Sequence, residues 1–187
     1  MSEKGTITTS DYIEFSKAMY VGEKLLKNEK TKVLGFYIIV AINTGLRIGD
    51  ILNLRFEDLS QDTIKLNEQK TNKKREIKVN DNIKKALNSF GKFKEGSIFI
   101  SQKGCVYTRQ SINVLLKNAF AKEAKNYNIS SHSLRKSMGR KVYENNGESE
   151  KALTYLSELF NHTSPAITRK YLGIRQQELN NIYDCLA

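Results

Sequence analysis

Apolar residues recur along most of this chain at helical spacing, and in one interval the period shortens to two. Tyr12, Phe15, Met19 and Leu26 fall near one face of a first helix, which Thr9 or Ser10 can cap. A second helix, Thr31 to Asn43, is nearly all apolar. Gly45 ends it, because glycine reverses the backbone at a helix C-terminus without a Cβ penalty, and a new helix begins around Arg47. From Thr63 to Val79 the alternations Ile64-Lys65-Leu66 and Ile77-Lys78-Val79 flank the polar stretch Gln69 to Arg75, which predicts a β-hairpin with a strongly basic tip. A helix from Asp81 to Phe90, a short strand from Ser97 to Ile100 and a long helix from about Thr108 to Asn126 come next. Ser130 or Ser131 caps a helix running to Asn146-Gly147, and another spans Glu148 to Phe160. Ser164-Pro165 has the cap-then-proline order that opens a helix, and Gln176 to Leu186 forms a last amphipathic one. The expected fold class is therefore mainly α with a small β-hairpin, an α+β arrangement.

No repeat, low-complexity segment or flexible linker interrupts this pattern, so residues 1–187 are expected to form a single domain. With 39% hydrophobic residues the chain can build one core. Its most apolar stretch, Val33 to Ile42, is too short to cross a bilayer, and the polar N-terminus lacks the succession of a signal peptide, so the expected location is cytoplasmic. Cys105 and Cys185 lie far apart with no Cys or His at ligand spacing, which argues against a zinc site and a disulfide framework. There is no Walker loop and no carboxylate cluster fit for magnesium, so neither a metal nor a cofactor is expected. Lysine and arginine number 31 against 20 acidic residues, a net charge of +11, and that surplus favours a polyanionic partner through counterion release. Charge alone leaves a merely solvated basic surface as good a reading.

Particular residues change those odds. His132 and Arg135, three apart at a helix start, project from one face beside the positive end of the helix dipole, where a phosphate is held well. Taken alone, that pair is a weak signal. It is accompanied by Thr44-Gly45-Leu46-Arg47-Ile48-Gly49-Asp50, by Asn161-His162 and by Arg169-Lys170-Tyr171-Leu172-Gly173. With these motifs in this order, the chain from about residue 10 to its end resembles the tyrosine recombinases, the phage integrases and their relatives. The resemblance implies their catalytic-domain fold and a set of roles. Arg47 matches the family's first arginine and Asp50 the acidic residue three places on. His132 and Arg135 match the His-x-x-Arg box. His162 matches the histidine preceding the nucleophile, and Tyr171 comes nine residues after it, as the family's tyrosine does. Lys70 is the best match for the hairpin lysine. Lys73, Lys74 and Arg75 are close enough that another register moves the role to one of them, and each otherwise reads as a DNA phosphate contact. Many relatives have Leu-Gly-His where this chain has Phe160-Asn161-His162, a departure that touches the local backbone and leaves the imidazole in place.

The chemistry of a phosphodiester agrees with this inventory. Attack adds charge to the phosphate oxygens, and two fixed guanidiniums, Arg47 and Arg135, can stabilise the transition state more than the ground state. A phenol with a pKa of about 10 needs a base, for which His132 is the candidate, and the departing 5′ oxygen needs a proton, which Lys70 can deliver. His162 would hydrogen-bond a non-bridging oxygen, and Asp50 would hold His132 or the neighbouring helix end. The implied activity is site-specific recombination of double-stranded DNA through a 3′-phosphotyrosyl intermediate. The competing readings are a non-cutting DNA-binding regulatory module of the same fold and a type IB topoisomerase. Leu179, Ile182, Tyr183 and Leu186 form an apolar stripe that packs either on its own domain or, as in the family, on a neighbouring copy. Tetramer assembly on DNA through residues 176–187 and DNA-bending accessory proteins are the further partners implied, with no membrane. The family's N-terminal DNA-clamping domain has no counterpart before Arg47, as in an excised catalytic domain or a short single-domain recombinase.

Overall fold

The computed structural model describes residues 10–90 and 95–185, with the backbone alone for 175–178. The helices α1 (Phe15–Leu26), α2 (Lys32–Thr44) and α7 (Ser131–Asn145) pack together at the centre. Every side chain from Phe36 to Ile42 is buried, as an all-apolar helix requires. Gly45 succeeds α2 with φ 60° and ψ 20°, and the chain re-enters α3 (Ile48–Leu52) and α4 (Phe56–Leu59), the latter not visible in the periodicity.

The hairpin forms where expected. Its strands β1 (Thr63–Asn67) and β2 (Lys74–Lys78) are antiparallel, with Ile64 opposite Ile77 and Asn67 opposite Lys74. Then come α5 (Asp81–Asn88), capped by the Asn80 side chain, and α6 (Arg109–Ala119), capped by Thr108. The chain ends with α8 (Glu150–Phe160), α9 (Pro165–Leu172) and α10 (Ile174–Asp184). Two hydrophobic clusters divide the interior. The larger is centred on α2, and the smaller joins Met138 of α7 to Leu153, Leu156 and Phe160 of α8 and Tyr171 and Leu172 of α9. Among the described residues no helix is long and apolar enough to cross a membrane.

Several expected boundaries move, each for a reason visible in the packing or the backbone. Ser10 does not cap α1. Its hydroxyl pairs with that of Ser130 at 2.7 Å and its carbonyl accepts from Lys136 Nζ at 2.6 Å, so residues 10–13 run along α7 and the helix begins at Phe15. Thr9, the other capping candidate, lies outside the described residues. The strand expected at Ser97–Ile100 makes only single bridges, Arg55 to Ser97 and Ile100 to Val106. Ile98 and Phe99 are both buried, so the segment lacks a solvent face, and the Phe99 ring packs on Phe36 and Tyr37. The long helix stops at Ala119, because buried Phe120 leaves helical geometry before a short 3₁₀ turn at Glu123–Lys125. Glu148 takes a positive φ, so α8 starts at Glu150 behind a Ser149 cap. The last helix begins at Ile174, directly after left-handed Gly173, and Leu186 lies outside the described residues.

One close approach sets the position of α8 and α9 against α7. A Cβ built on Gly139 would meet Leu172 Cδ2 at 2.7 Å and the Phe160 ring at 2.8 Å. Both side chains are themselves fully buried and cannot yield. Gly139→Ala is expected to cost about 1–3 kcal/mol in urea unfolding through overpacking; an unchanged midpoint would mean that α7 and α8 are less tightly apposed than the structure has them.

Candidate active site

Two guanidiniums converge on one carbonyl. Arg47 occupies the N-cap position of α3, just past the left-handed turn at Gly45, and its Nη2 donates to Phe160 O at 3.2 Å. Arg135 lies on the second turn of α7, only 4% exposed, and its Nη2 donates to the same oxygen at 3.0 Å. Its Nη1 donates to the Gly45 carbonyl, and its guanidinium stacks over the Phe160 ring with Cζ 4.4 Å from the centroid. The Gly45 turn thus serves both arginines: it aims one and holds the other.

The carbonyl that anchors them ends α8, and the residue after it carries the sequence's departure from the family pattern. Asn161 takes φ 57° and ψ 46°, a left-handed conformation that asparagine tolerates better than most residues other than glycine. The backbone turn that a glycine would make is kept, and the side chain is put to use: Asn161 Oδ1 accepts from Lys73 Nζ at 2.7 Å, linking the hairpin to this turn. His162 is next, with Nδ1 2.9 Å from the hydroxyl of fully buried Thr168. Thr168 and Tyr171 are three apart on α9 and share its inner face. The His162 and Tyr171 rings meet edge to face at 5.1 Å, and Phe160 lies 5.6 Å from Tyr171. Arg140 donates to Leu172 O at 3.0 Å, tying down the end of the helix that carries the tyrosine.

Tyr171 is only 7% exposed, and its hydroxyl has no hydrogen bond of ordinary geometry among the described residues. Burial pushes its pKa up to about 12, against the opposing charges of Arg135 and Arg47. His132, on the first turn of α7, is brought down to about 4 by burial and by the charges of Arg135, Lys136, Arg47 and Lys70. Burial, with Arg135 and Arg47, brings His162 to about 4 as well. At neutral pH the site therefore holds a neutral phenol, two neutral imidazoles and a dense positive field.

The structure distributes the remaining expected residues unevenly. Lys70 is exposed on the turn beyond β1, and its charge is felt at His132. Lys74 is exposed and lines a cleft of about 490 Å³ between β2 and α8. Arg75, expected as a DNA contact, is engaged within the protein. Its side chain turns inward and its Nη1 pairs with Glu68 at 2.9 Å. Asp50 has a partner other than those expected. Its Oδ1 accepts from the backbone N–H of Gln69 at 2.9 Å, so it holds the hairpin turn where His132 or the helix end was expected. Sequence reasoning missed Glu68, a carboxylate only 3% exposed that pairs with Arg47 Nη1 at 2.6 Å as well as with Arg75. Its one visible signal is an acid at the end of a strand amid lysines. Thr168 was missed as well, although its spacing from Tyr171 placed it on the same helix face.

The model of the phage integrase family matches residues 15–178. The chain belongs to that family, the tyrosine recombinases. It is 30% identical over 172 residues to the probable integrase/recombinase YoeC of Bacillus subtilis (strain 168), covering 89% of this chain and 91% of that protein. Among solved structures, the XerA recombinase superimposes with a TM-score of 0.69 at 20% identity, over 98% of this chain and 66% of that one. A lambda integrase dimer bound to a COC′ core site gives 0.65 at 17% identity, over 91% and 61%. The XerH recombinase bound to palindromic difH gives 0.66 at 19% identity, over 94% and 53%. This chain thus spans most of YoeC but about two thirds or less of these recombinases, and at such identities the structural likeness shows the shared fold. The expected fold class, mostly helical with a two-stranded antiparallel sheet, is the one these recombinases share.

The depressed histidines make stability depend on pH. Between an ordinary pKa of 6.5 and folded values of about 4, the unfolded chain binds protons that the folded chain does not. Stability is therefore full above this window and falls as pH drops through it, by at most about 1.4 kcal/mol per pH unit for each histidine. Urea unfolding monitored from neutral to acidic pH should show this fall and a shallower one for His162→Gln. Equal slopes would assign the proton uptake to other groups.

Proposed function

We propose that this protein is a site-specific DNA recombinase that breaks and rejoins strands through a covalent 3′-phosphotyrosyl link to Tyr171. The observation that carries this reading is the buried Tyr171 hydroxyl, without a hydrogen bond of ordinary geometry among the described residues, in the field of Arg135 and Arg47 and beside the neutral ring of His162. A buried polar atom with no partner is costly, and a phosphate entering beside Arg47 and Arg135 would give it a reaction partner. Family membership and the likeness to YoeC support the same class of reaction.

In this scheme the phosphate lies against Arg47 and Arg135, whose remaining N–H donors face the charge that develops on its oxygens. The Tyr171 oxygen attacks phosphorus, its proton passes to neutral His132, and the bond from phosphorus to the 5′ oxygen breaks. Lys70, on the exposed turn, protonates that oxygen. Thr168 holds Nδ1 of His162, which leaves Nε2 for a non-bridging oxygen. The phosphotyrosyl bond keeps the energy of the broken diester, so a 5′ hydroxyl from another strand reverses the steps and rejoins the DNA. Lys70, Lys73 and Lys74 form the basic edge of the site that faces the duplex.

A duplex nicked beside the crossover site traps the covalent product, because the short 5′ fragment diffuses away. The wild-type protein should yield a protein–DNA band that resists denaturation, and Tyr171→Phe should abolish it. A band that survives this substitution would move the nucleophile to another tyrosine. DNA binding with no band would favour the non-cutting module.

Assembly is the work of α10 in this reading. Leu179, Ile182 and Tyr183 are 41%, 59% and 70% exposed, which leaves much of their apolar surface open. This supports docking of residues 176–187 on a neighbouring copy in a DNA-bound tetramer. Ile182→Glu should leave single-site binding intact and abolish multi-protomer complexes in gel-shift assays. Retention of those complexes would rule out this helix as the link.

A further inference from the structure

Glu68 is an acidic residue in the most basic part of the molecule, and it is almost completely buried. Each of its carboxylate oxygens has a cation. Oε2 pairs with Arg47 Nη1 at 2.6 Å and accepts from Thr71 Oγ1 at 2.8 Å, while Oε1 pairs with Arg75 Nη1 at 2.9 Å. Its backbone is fixed as well, the N–H donating to Lys73 O at 3.0 Å and the carbonyl accepting from Asn72 N–H at 2.8 Å. A carboxylate held this way cannot swing out to make room for a phosphate. Burial opposes its ionisation, but the bonds from Thr71 and Arg75 and the charge of Arg47 outweigh burial and hold it below the ordinary range, so it stays charged at neutral pH.

We propose that Glu68 is a positioning residue for strand cleavage: it fixes the Arg47 guanidinium and, through Arg75 and Thr71, locks that arginine to the hairpin turn that carries Lys70. This rests on the cleavage reaction proposed above. The geometry has a direct consequence for Arg47. With Nη1 on Glu68 and Nη2 on Phe160 O, the guanidinium is held by two partners and keeps further N–H donors for a phosphate. Without the carboxylate one anchor is lost, and Arg47 and Arg75 repel each other across the gap. The turn bearing Lys70 then loses its tie to the phosphate clamp.

Two substrates separate positioning from mere structural support. On a nicked phosphodiester duplex, Glu68→Gln should lower the single-turnover rate of covalent-complex formation about 10- to 100-fold, the usual cost of losing a residue that orients a catalytic group, with DNA affinity changed by about twofold at most. On the same duplex with a neutral methylphosphonate at the scissile position, there is less charge for Arg47 to stabilise, so the defect should shrink to a few-fold. Equal losses on both substrates, or no loss on the phosphodiester, would overturn the proposal. Glu68→Asp keeps the buried charge but withdraws it by one carbon, and should show the same substrate-dependent loss if Glu68→Gln does not fold. Should the wild-type protein form no covalent product, the cleavage reading fails, and the arginine spectrum still tests Glu68. The Arg47 side-chain NMR signals should be sharp and slowly exchanging in the wild type and averaged in Glu68→Gln. Identical spectra would refute the positioning role.

Discussion

The carbonyl of Phe160 accepts hydrogen bonds from two arginines that arrive on different elements, Arg47 from the start of α3 and Arg135 from α7. Two cations meeting in a desolvated pocket repel each other strongly, and the approach persists only where negative partners lie between them. The oxygen belongs to the last turn of α8, where unpaired carbonyls carry the negative end of the helix dipole. The Gly45 carbonyl, at the end of α2, gives Arg135 a second partner of the same kind. Glu68 supplies a full negative charge paired with Arg47 and with Arg75. The site is thus made of helix ends held together by guanidiniums.

That arrangement explains why the surrounding glycines and asparagine are where they are. The arginines reach Phe160 O only if α8 lies close against α7, which Gly139 permits, and only if the chain turns sharply after α2 and α8, which Gly45 and Asn161 do in left-handed conformations. Tyr171 and His162 are positioned from the same place, since their rings pack on the Phe160 ring and on each other. Displacing one residue, Phe160, would therefore disturb both guanidiniums, the histidine and the tyrosine together.

Much of this was legible in the sequence because helix boundaries have strong local chemistry. The left-handed turn at Gly45, the Ser164-Pro165 start of α9 and the alternating strands of the hairpin depend on neighbouring residues, and they fell where their patterns put them. The motif residues could be named because family spacing carries them. Two of the misread side chains share a cause: each was assigned a local or solvent-facing use when another residue in the fold had claimed it. Ser10 looks like a cap until Ser130 and Lys136 are seen beside it, and Arg75 looks like a DNA contact until its partner is seen to be Glu68. No periodicity reports that Ser10 will meet Ser130, and none reports which way the Arg75 side chain turns.

Glu68 is the sharpest case, because the feature that hid it is also the reason for its burial. Along the chain it is one acid among lysines, which reads as charge balance on a solvated hairpin. In space it is the only carboxylate among the described residues that pairs with both Arg47 and Arg75. A basic surface gathers its own repulsion, and guanidiniums brought together as Arg47 and Arg135 are need a negative partner to offset it. A buried carboxylate does so without competing for the phosphate, provided it binds the arginines from behind. The two oxygens of Glu68 each take a different arginine, whereas Asp50 gives Oδ1 to the Gln69 N–H and pairs with neither arginine among the described residues.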